Sequence, residues 1–380
     1  MEVFSKTLKL RADLEMGGYA QVRRSKSFND QLEVNGWSFM DEIKNIKFEL
    51  CAIDALYAGD LTRVNPSENS NRFFLASHTH YAPMIDSNKP QLGSFSKDAL
   101  NCYSNAIEYS VRTKVRPDVC RIYKSDVNMP VYRRFDFPDS QVNRFLTRYG
   151  GMYPNVDVNI DRGLYIFEFA KGDVTQFVLV YHACHPVSRY DLTNLSSDYI
   201  GAIRMAIRER FQVGPCLFLL GCAGDVRPNF ARKRIPWLPR NRLNWRFEPW
   251  ASLDNELAID NAYKEAVHLA TWQNSIQLTN NPVRVERRNL HLLAQGDFEM
   301  TRLVIGQQLS FDFLPFEVSH YFHMEAQKKD PMHFLVSCVN DTLGYLPHPR
   351  QLSAGGYEVD GSRNCMNLGE RVELKKDSLW

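Results

Sequence analysis

Short apolar runs recur along the chain, and five of them end alike, in a histidine, an acid or a tyrosine beside glycine or proline. After Gly17-Gly18-Tyr19 come two strand-like runs, the second being Ile46–Asp54. A buried strand at 72–77 runs into Ser77-His78-Thr79-His80-Tyr81-Ala82-Pro83. Polar residues 84–97 read as a loop and 98–114 as a helix. Residues 118–134 alternate weakly and end in Tyr132-Arg133-Arg134. A turn at Gly150-Gly151 precedes strands over Gly163–Ala170 and Gln176–Cys184, the latter running into His185-Pro186. Ile200, Ile203, Ile207 and Phe211 share one face of a helix over 198–211, with Asp198 as N-cap. Cys216–Leu220 is the next buried strand, running into Gly221-Cys222-Ala223-Gly224-Asp225-Val226-Arg227-Pro228-Asn229. A helix over 254–273 and strands near 283–293 and 301–313 follow, and Leu314-Pro315-Phe316-Glu317 opens a short helix. The last strand, Phe334–Val339, leads to Asn340-Asp341-Thr342-Leu343-Gly344-Tyr345. This order predicts an α/β fold of mixed β-sheets flanked by helices, one domain over 1–380, with an active site at the strand ends.

Composition leaves that picture intact. The 380 residues are 44% hydrophobic and 24% charged with a net charge of +2, ordinary values for a globular protein and not those of a nucleic-acid binder. No window has the roughly 18 apolar residues of a membrane span, and the N-terminus, Met1-Glu2-Val3-Phe4-Ser5-Lys6, does not read as a secretory signal. Eight cysteines without a CxxC predict reduced thiols in a cytoplasmic protein.

The strand-end residues His78, His80, His185, Asp225, Glu317 and Tyr345 mix imidazole, carboxylate and phenol, a donor set for a divalent metal with zinc the leading candidate. Alternation in an extended chain would put His78 and His80 on one face. Cys184 beside His185 is either a buried structural cysteine or half of a Cys–His pair, though neighbours in a strand face opposite ways. His182 competes with His185. His320 and His323, at helical spacing from Glu317, either bind a second metal or lie on the outer side of their helix. Asp54 and Asp225 either join a two-metal site or hold its loops together.

At these positions the chain resembles the neutral, non-lysosomal ceramidase family, in its short bacterial form. Ser77–Pro83 is similar to that family's T-H-T-H-S-G-P, and Ala183-Cys184-His185-Pro186-Val187-Ser188 to its A-T-H-G-T-S. Ser197-Asp198-Tyr199-Ile200-Gly201 resembles S-x-D-x-x-G, and Gly224–Asn229 resembles G-D-V-S-P-N. Leu314–Glu317 resembles P-G-E, and Tyr345 with Gly356-Tyr357-Glu358 resembles the G-Y and Y-E-G pair. The resemblance implies one zinc ion held by His78, His185, Glu317 and Tyr345, with His80, Tyr357 and Arg133 at the scissile group. Asp225, Arg227 and Asn229, in the matched loop, are then the candidate substrate-binding residues. The activity implied is amide hydrolysis by metal-activated water, removing an N-acyl or N-acetyl group.

Two departures shift the expected substrate away from ceramide. Arg227 stands where the family has serine, and an arginine grips carboxylate or phosphate. The chain also ends soon after the tyrosine pair, which predicts that it lacks the family's C-terminal immunoglobulin-like domain. Within 227–250, seven basic residues (Arg227, Arg232, Lys233, Arg234, Arg240, Arg242, Arg246) interleave with Trp237, Trp245 and Trp250 against one acid, Glu248. This segment is either a lid or insertion over an anionic substrate, a peripheral contact with anionic lipid, or a solvated loop. The expected function is a zinc-dependent amidohydrolase acting on a small anionic or sugar-containing molecule or glycoconjugate. The alternatives are a ceramidase-like lipid amidase and a catalytically silent, metal-stabilised protein that binds a glycan or partner.

Overall fold

A computed structural model describes residues 1–19, 22–41, 43–64, 71–134, 152–233, 245–247, 251–278, 283–293, 296–366 and 372–374. Strands Glu2–Thr7 (β1), Glu33–Asp41 (β2), Ile46–Ile53 (β3), Arg72–Ala76 (β4) and Thr113–Lys114 (β5) form a sheet in the order β4-β3-β2-β1-β5. Val119–Asp126 (β6), Gly163–Lys171 (β7), Val174–His182 (β8), Cys216–Leu220 (β9) and Thr271–Gln277 (β10) form a second, ordered β9-β8-β7-β6-β10. Val283–Leu292 (β11), Gly296–Ile305 (β12), Leu309–Phe313 (β13) and His333–Val336 (β14) form a third in sequence order. The pairs β3–β4, β8–β9 and β13–β14 are parallel and the other pairings in these three sheets antiparallel, so the sheets are mixed, as predicted.

Strands that are apolar on both faces need cover on both sides. Alternate residues of β3, β4, β7, β8 and β9 accordingly feed two different cores. Leu50, Phe73, Phe167, Leu179 and Leu217 lie in one; Cys51, Phe74, Ile166, Val180 and Phe218 lie in the other. In the first core Trp37 packs 5.3 Å from Phe169, Phe73 5.7 Å from Phe313 and Phe167 5.2 Å from Phe311, so all three sheets meet there. The second core takes in helices Lys97–Glu108 (α1), Tyr199–Phe211 (α2) and Leu253–Leu269 (α3). Among the described residues no helix is long and apolar enough to cross a membrane.

Several predicted elements shift. The helix read over 98–114 ends at Glu108, and the one read over 254–273 ends at Leu269, where Thr271–Gln277 instead pairs with β6. The β-branched residues Val111 and Thr113, and Thr271, mark both breaks. The strand read over 301–313 is two strands, turned at Gly306 with φ +62°. Pro315 and Glu317 do not open a helix. Glu317–Val318 is a short strand, and helix His320–Lys329 (α4) begins after Ser319. The N-terminal strand β1 went unpredicted. The turn at Gly150-Gly151 lies outside the described residues.

Buried ion pairs tie α2 to the first sheet. Arg204 makes a two-pronged contact with Asp54, and Arg208 donates to Glu33 at 2.6 Å. Burial alone would raise the Glu33 carboxyl, but Arg204 and Arg208 hold it down at about 2, from an ordinary 4.5. A depressed carboxyl stabilises the fold above its unfolded pKa and loses that contribution as pH falls through the folded one. Stability on the order of 2–3 kcal/mol should therefore disappear between pH 4.5 and 2. Denaturant unfolding of Glu33→Gln should show lower stability at neutral pH and a shallower acid limb than the parent.

Candidate metal centre at the strand ends

The exits of β3, β4, β8 and β9 converge on one point. Strand β4 stops at Ala76; the His78 N–H then donates to Ala55 O at 2.8 Å, and His78 takes a positive φ of +64°. The His78-Thr79-His80 stretch is therefore a kinked turn, not the extended strand end expected from alternation. The two rings still converge, at 5.2 Å. His185 follows β8, its N–H donating to Val226 O. Glu317 and Tyr345 arrive as direct partners in a short parallel pairing of Glu317–Val318 with Tyr345–Leu346. Gly224 lets the loop after β9 close on Glu317–Val318, since a Cβ there would sit 2.7 Å from Glu317 O.

His78 Nε2 is 3.2 Å from His185 Nε2 and 3.2 Å from Glu317 Oε2, and His185 Nε2 is 3.3 Å from the same oxygen. Donors about 2.0–2.1 Å from a tetrahedral zinc ion lie about 3.3 Å from one another. The triangle thus has the edge length of one face of a zinc tetrahedron. His78 Nδ1 lies 2.9 Å from Leu56 O and His185 Nδ1 2.6 Å from Ala223 O. Carbonyls only accept, so in the neutral rings Nδ1 carries the proton and Nε2 turns a lone pair inward. Glu317 Oε2 is buried without a hydrogen-bond partner. An anionic oxygen against two imidazole lone pairs is repulsive unless a cation joins them, and the residues fit one. Burial would lower the His78 pKa, but the Glu317 charge overrides it and raises the pKa well above the ordinary value. Against burial, the two imidazoles hold Glu317 well below the carboxylate range. A proton and a metal therefore compete for this triangle.

His80 joins His78 and His185 in a looser cluster, ligand atoms within 4.8 Å. The set with Glu317 has the shorter edges and includes the unpartnered oxygen, so it is the better first coordination set. Both His80 nitrogens are buried and unpartnered. Burial and the neighbouring imidazoles keep its pKa well below the ordinary value, so the ring is neutral. Gly18, φ +103°, leaves room for it, since a Cβ there would meet His80 Nδ1 at 2.7 Å. The Tyr345 hydroxyl accepts from Arg133 Nη2 at 3.2 Å, and the Tyr345 and Tyr357 rings stand 5.7 Å apart. The sequence left two supports without a role. Tyr57 donates to Glu317 Oε1 at 2.6 Å, and Glu358 receives Arg133 at 2.7 Å and Arg134 at 2.8 Å. Tyr57 lies just past the acid-terminated run at Asp54, its one signal in the sequence.

Other expected residues stand elsewhere. Asp225 spends its carboxylate on Ser319 Oγ, the His320 N–H and Gln351 Nε2, so it braces loops rather than facing a substrate. Asn229 is exposed, its N–H donating to Met129 O. Asp54 is committed to Arg204. His320 and His323, expected on the outer side of a helix, are both buried. His320 packs 4.8 Å from Tyr132, and His323 bridges Tyr181 and Asp161. His182 sits between Gly163 O and Tyr263. Burial pushes the Cys184 thiol far up, and its sulfur meets the His185 backbone carbonyl at 3.9 Å rather than the ring, which argues against a Cys–His pair. Of 227–250, Arg234, Trp237, Arg240, Arg242, Glu248 and Trp250 lie outside the described residues, as do the side chains of Arg232, Lys233, Trp245 and Arg246.

No protein-family model matches the chain, and no curated protein does. Solved structures do. A neutral ceramidase from Pseudomonas aeruginosa superposes with a TM-score of 0.67 at 12% identity, covering 94% of this chain and 70% of that one. A ceramidase complexed with C2 gives 0.66 at 12% identity, covering 94% and 71%. The fold is that of the neutral ceramidases. With that ceramidase fold the strand-end location of the histidines and Glu317 follows from topology, although little of the sequence is shared. Calorimetric titration of metal-stripped protein with zinc should give tight binding with proton release. Tyr57→Phe should weaken it roughly 10- to 100-fold, and equal affinity in that variant would remove Tyr57 from the centre.

Proposed function

We propose that the chain is a zinc-dependent amidohydrolase that removes an N-acyl group from a small molecule. The observation carrying this reading is the buried 3.2–3.3 Å triangle of His78 Nε2, His185 Nε2 and Glu317 Oε2. Tyr345, in register with Glu317, is the proposed fourth ligand. Bound there, zinc would supply Lewis acidity and a water acidified to a pKa of about 7. Burial pushes the Tyr345 hydroxyl pKa up, and Arg133 opposes this from 3.2 Å by favouring the phenolate a metal needs. Leu56 O and Ala223 O fix the tautomers of His78 and His185, and Tyr57 orients Glu317. His80, neutral and with unspent nitrogens, is free to donate an N–H to a carbonyl oxygen gaining charge, and Tyr357 stands beside the proposed ligand Tyr345, ring centroids 5.7 Å apart. Likeness to ceramidases, whose name denotes action on ceramide, favours an amide as the scissile bond. The seven cysteines whose side chains are described are all free thiols, which supports a reducing, cytoplasmic setting.

Purified protein assayed on N-acyl amines, with zinc removed by chelation and restored, should lose and regain hydrolysis. No metal in the protein together with indifference to chelation would refute the proposal. Among the same substrates, preference for long-chain ceramide-like amides would instead select the lipid-amidase reading. His80→Ala should lower kcat roughly 100- to 1000-fold at unchanged zinc content. Loss of zinc in that variant would make His80 a ligand.

A further inference from the structure

Among the described residues, Arg227 is a cation without a counter-ion. It sits on a two-strand ribbon, opposite Val131 in the pairing of Pro130–Tyr132 with Val226–Pro228. The ribbon belongs to the site: Val226 O accepts the His185 N–H, and the Arg133 N–H donates to Asp225 O at 2.9 Å. The Arg227 guanidinium lies in the angle between two aromatic rings, 4.8 Å from Phe230 and 4.5 Å from Phe247. Rings satisfy part of a cation's charge through their faces, yet they accept none of the in-plane N–H donors. Those donors are nearly idle. Nε is buried with no partner, and among the described residues the one hydrogen bond is Nη1 to Met152 Sδ at 4.0 Å, a weak acceptor.

Its neighbour Arg133 differs, being paired with Glu358 and Tyr345. Among the described residues no carboxylate lies within ion-pairing distance of Arg227, whereas Arg133, Arg134, Arg189 and Arg204 each have one. Burial, chiefly, together with the like charge of Arg133, pushes the Arg227 pKa down to about 10 against the pull of Tyr19. It is still charged at neutral pH. A half-buried cation whose Nε–H is sealed off without an acceptor costs stability until an anion meets it.

We propose that Arg227 is a specificity residue that grips an oxyanion, a carboxylate, phosphate or sulfonate, carried by the substrate; the proposal rests on the hydrolase reading of the adjoining centre. Bidentate pairing through the guanidinium edge is the mode the idle donors allow. A serine at this position would offer one neutral hydroxyl and no such grip.

The probes are N-acetylethanolamine as neutral reference, its O-phosphate, N-acetylglycine and N-acetyltaurine with the anion on the amine side, and N-succinylethanolamine with it on the acyl side. Binding to zinc-stripped protein is measured by calorimetry, and turnover by the zinc-loaded protein separately. At least one anionic probe should bind roughly 10- to 100-fold tighter than the neutral one. That margin should collapse in Arg227→Gln and largely in Arg227→Lys, which keeps the charge but loses the fork and serves as the folded control. Equal binding of all five, or an anion preference that survives both substitutions, overturns the proposal. Failure of every probe to be hydrolysed would instead strike the hydrolase reading, while the binding comparison still decides the role of Arg227.

Discussion

Three electron-rich atoms, two imidazole nitrogens and a carboxylate oxygen, are held within 3.3 Å of one another in the buried interior. Such an arrangement is costly in isolation and becomes favourable when a cation occupies its centre. Much of the local structure exists to hold it. Backbone carbonyls fix two tautomers, Tyr57 takes the second oxygen of Glu317, and Gly224 lets its loop close to backbone contact with Glu317–Val318. Asp225, fully engaged by Ser319, His320 and Gln351, locks the loop after β9 to the start of α4 and so keeps Glu317 beside His185.

The three sheets explain why the donors can be so far apart in sequence. Strands apolar on both faces stack into layers, and parallel pairs β3–β4 and β8–β9 send their exits to the same end of the molecule. Loops at that end can then differ while the scaffold is retained. The ceramidase fold persists here at 12% identity. Arg227 lies on the adjoining Val226–Pro228 ribbon and is not one of the triangle's three donors. On the proposed reading, metal chemistry and substrate selection rest on different residues of the same strand exits.

The apolar runs made the sheets legible, because a buried strand must be apolar wherever it runs, and the strand-end histidines were legible because imidazole is rare and chemically marked. Local geometry was not. His78 reaches the centre through a positive φ that no pattern of apolar positions announces, and Glu317 sits in a strand because Tyr345 pairs with it from the next loop. His320 and His323 looked like a polar helix face, yet Asp225 and Asp161 give them partners inside the protein. Tyr57 could not be told from core filler, since its hydroxyl meets Glu317 across 260 residues of chain. Long-range partners decide such roles, and a sequence read locally does not contain them.

X-ray absorption at the zinc edge, on zinc-loaded protein, tests the central claim most directly. The account predicts a four-coordinate shell of nitrogen and oxygen at about 2.0–2.1 Å, with outer-shell scattering from two imidazoles and no sulfur. Zinc that fails to bind, or a shell containing three imidazoles or a thiolate, would contradict it.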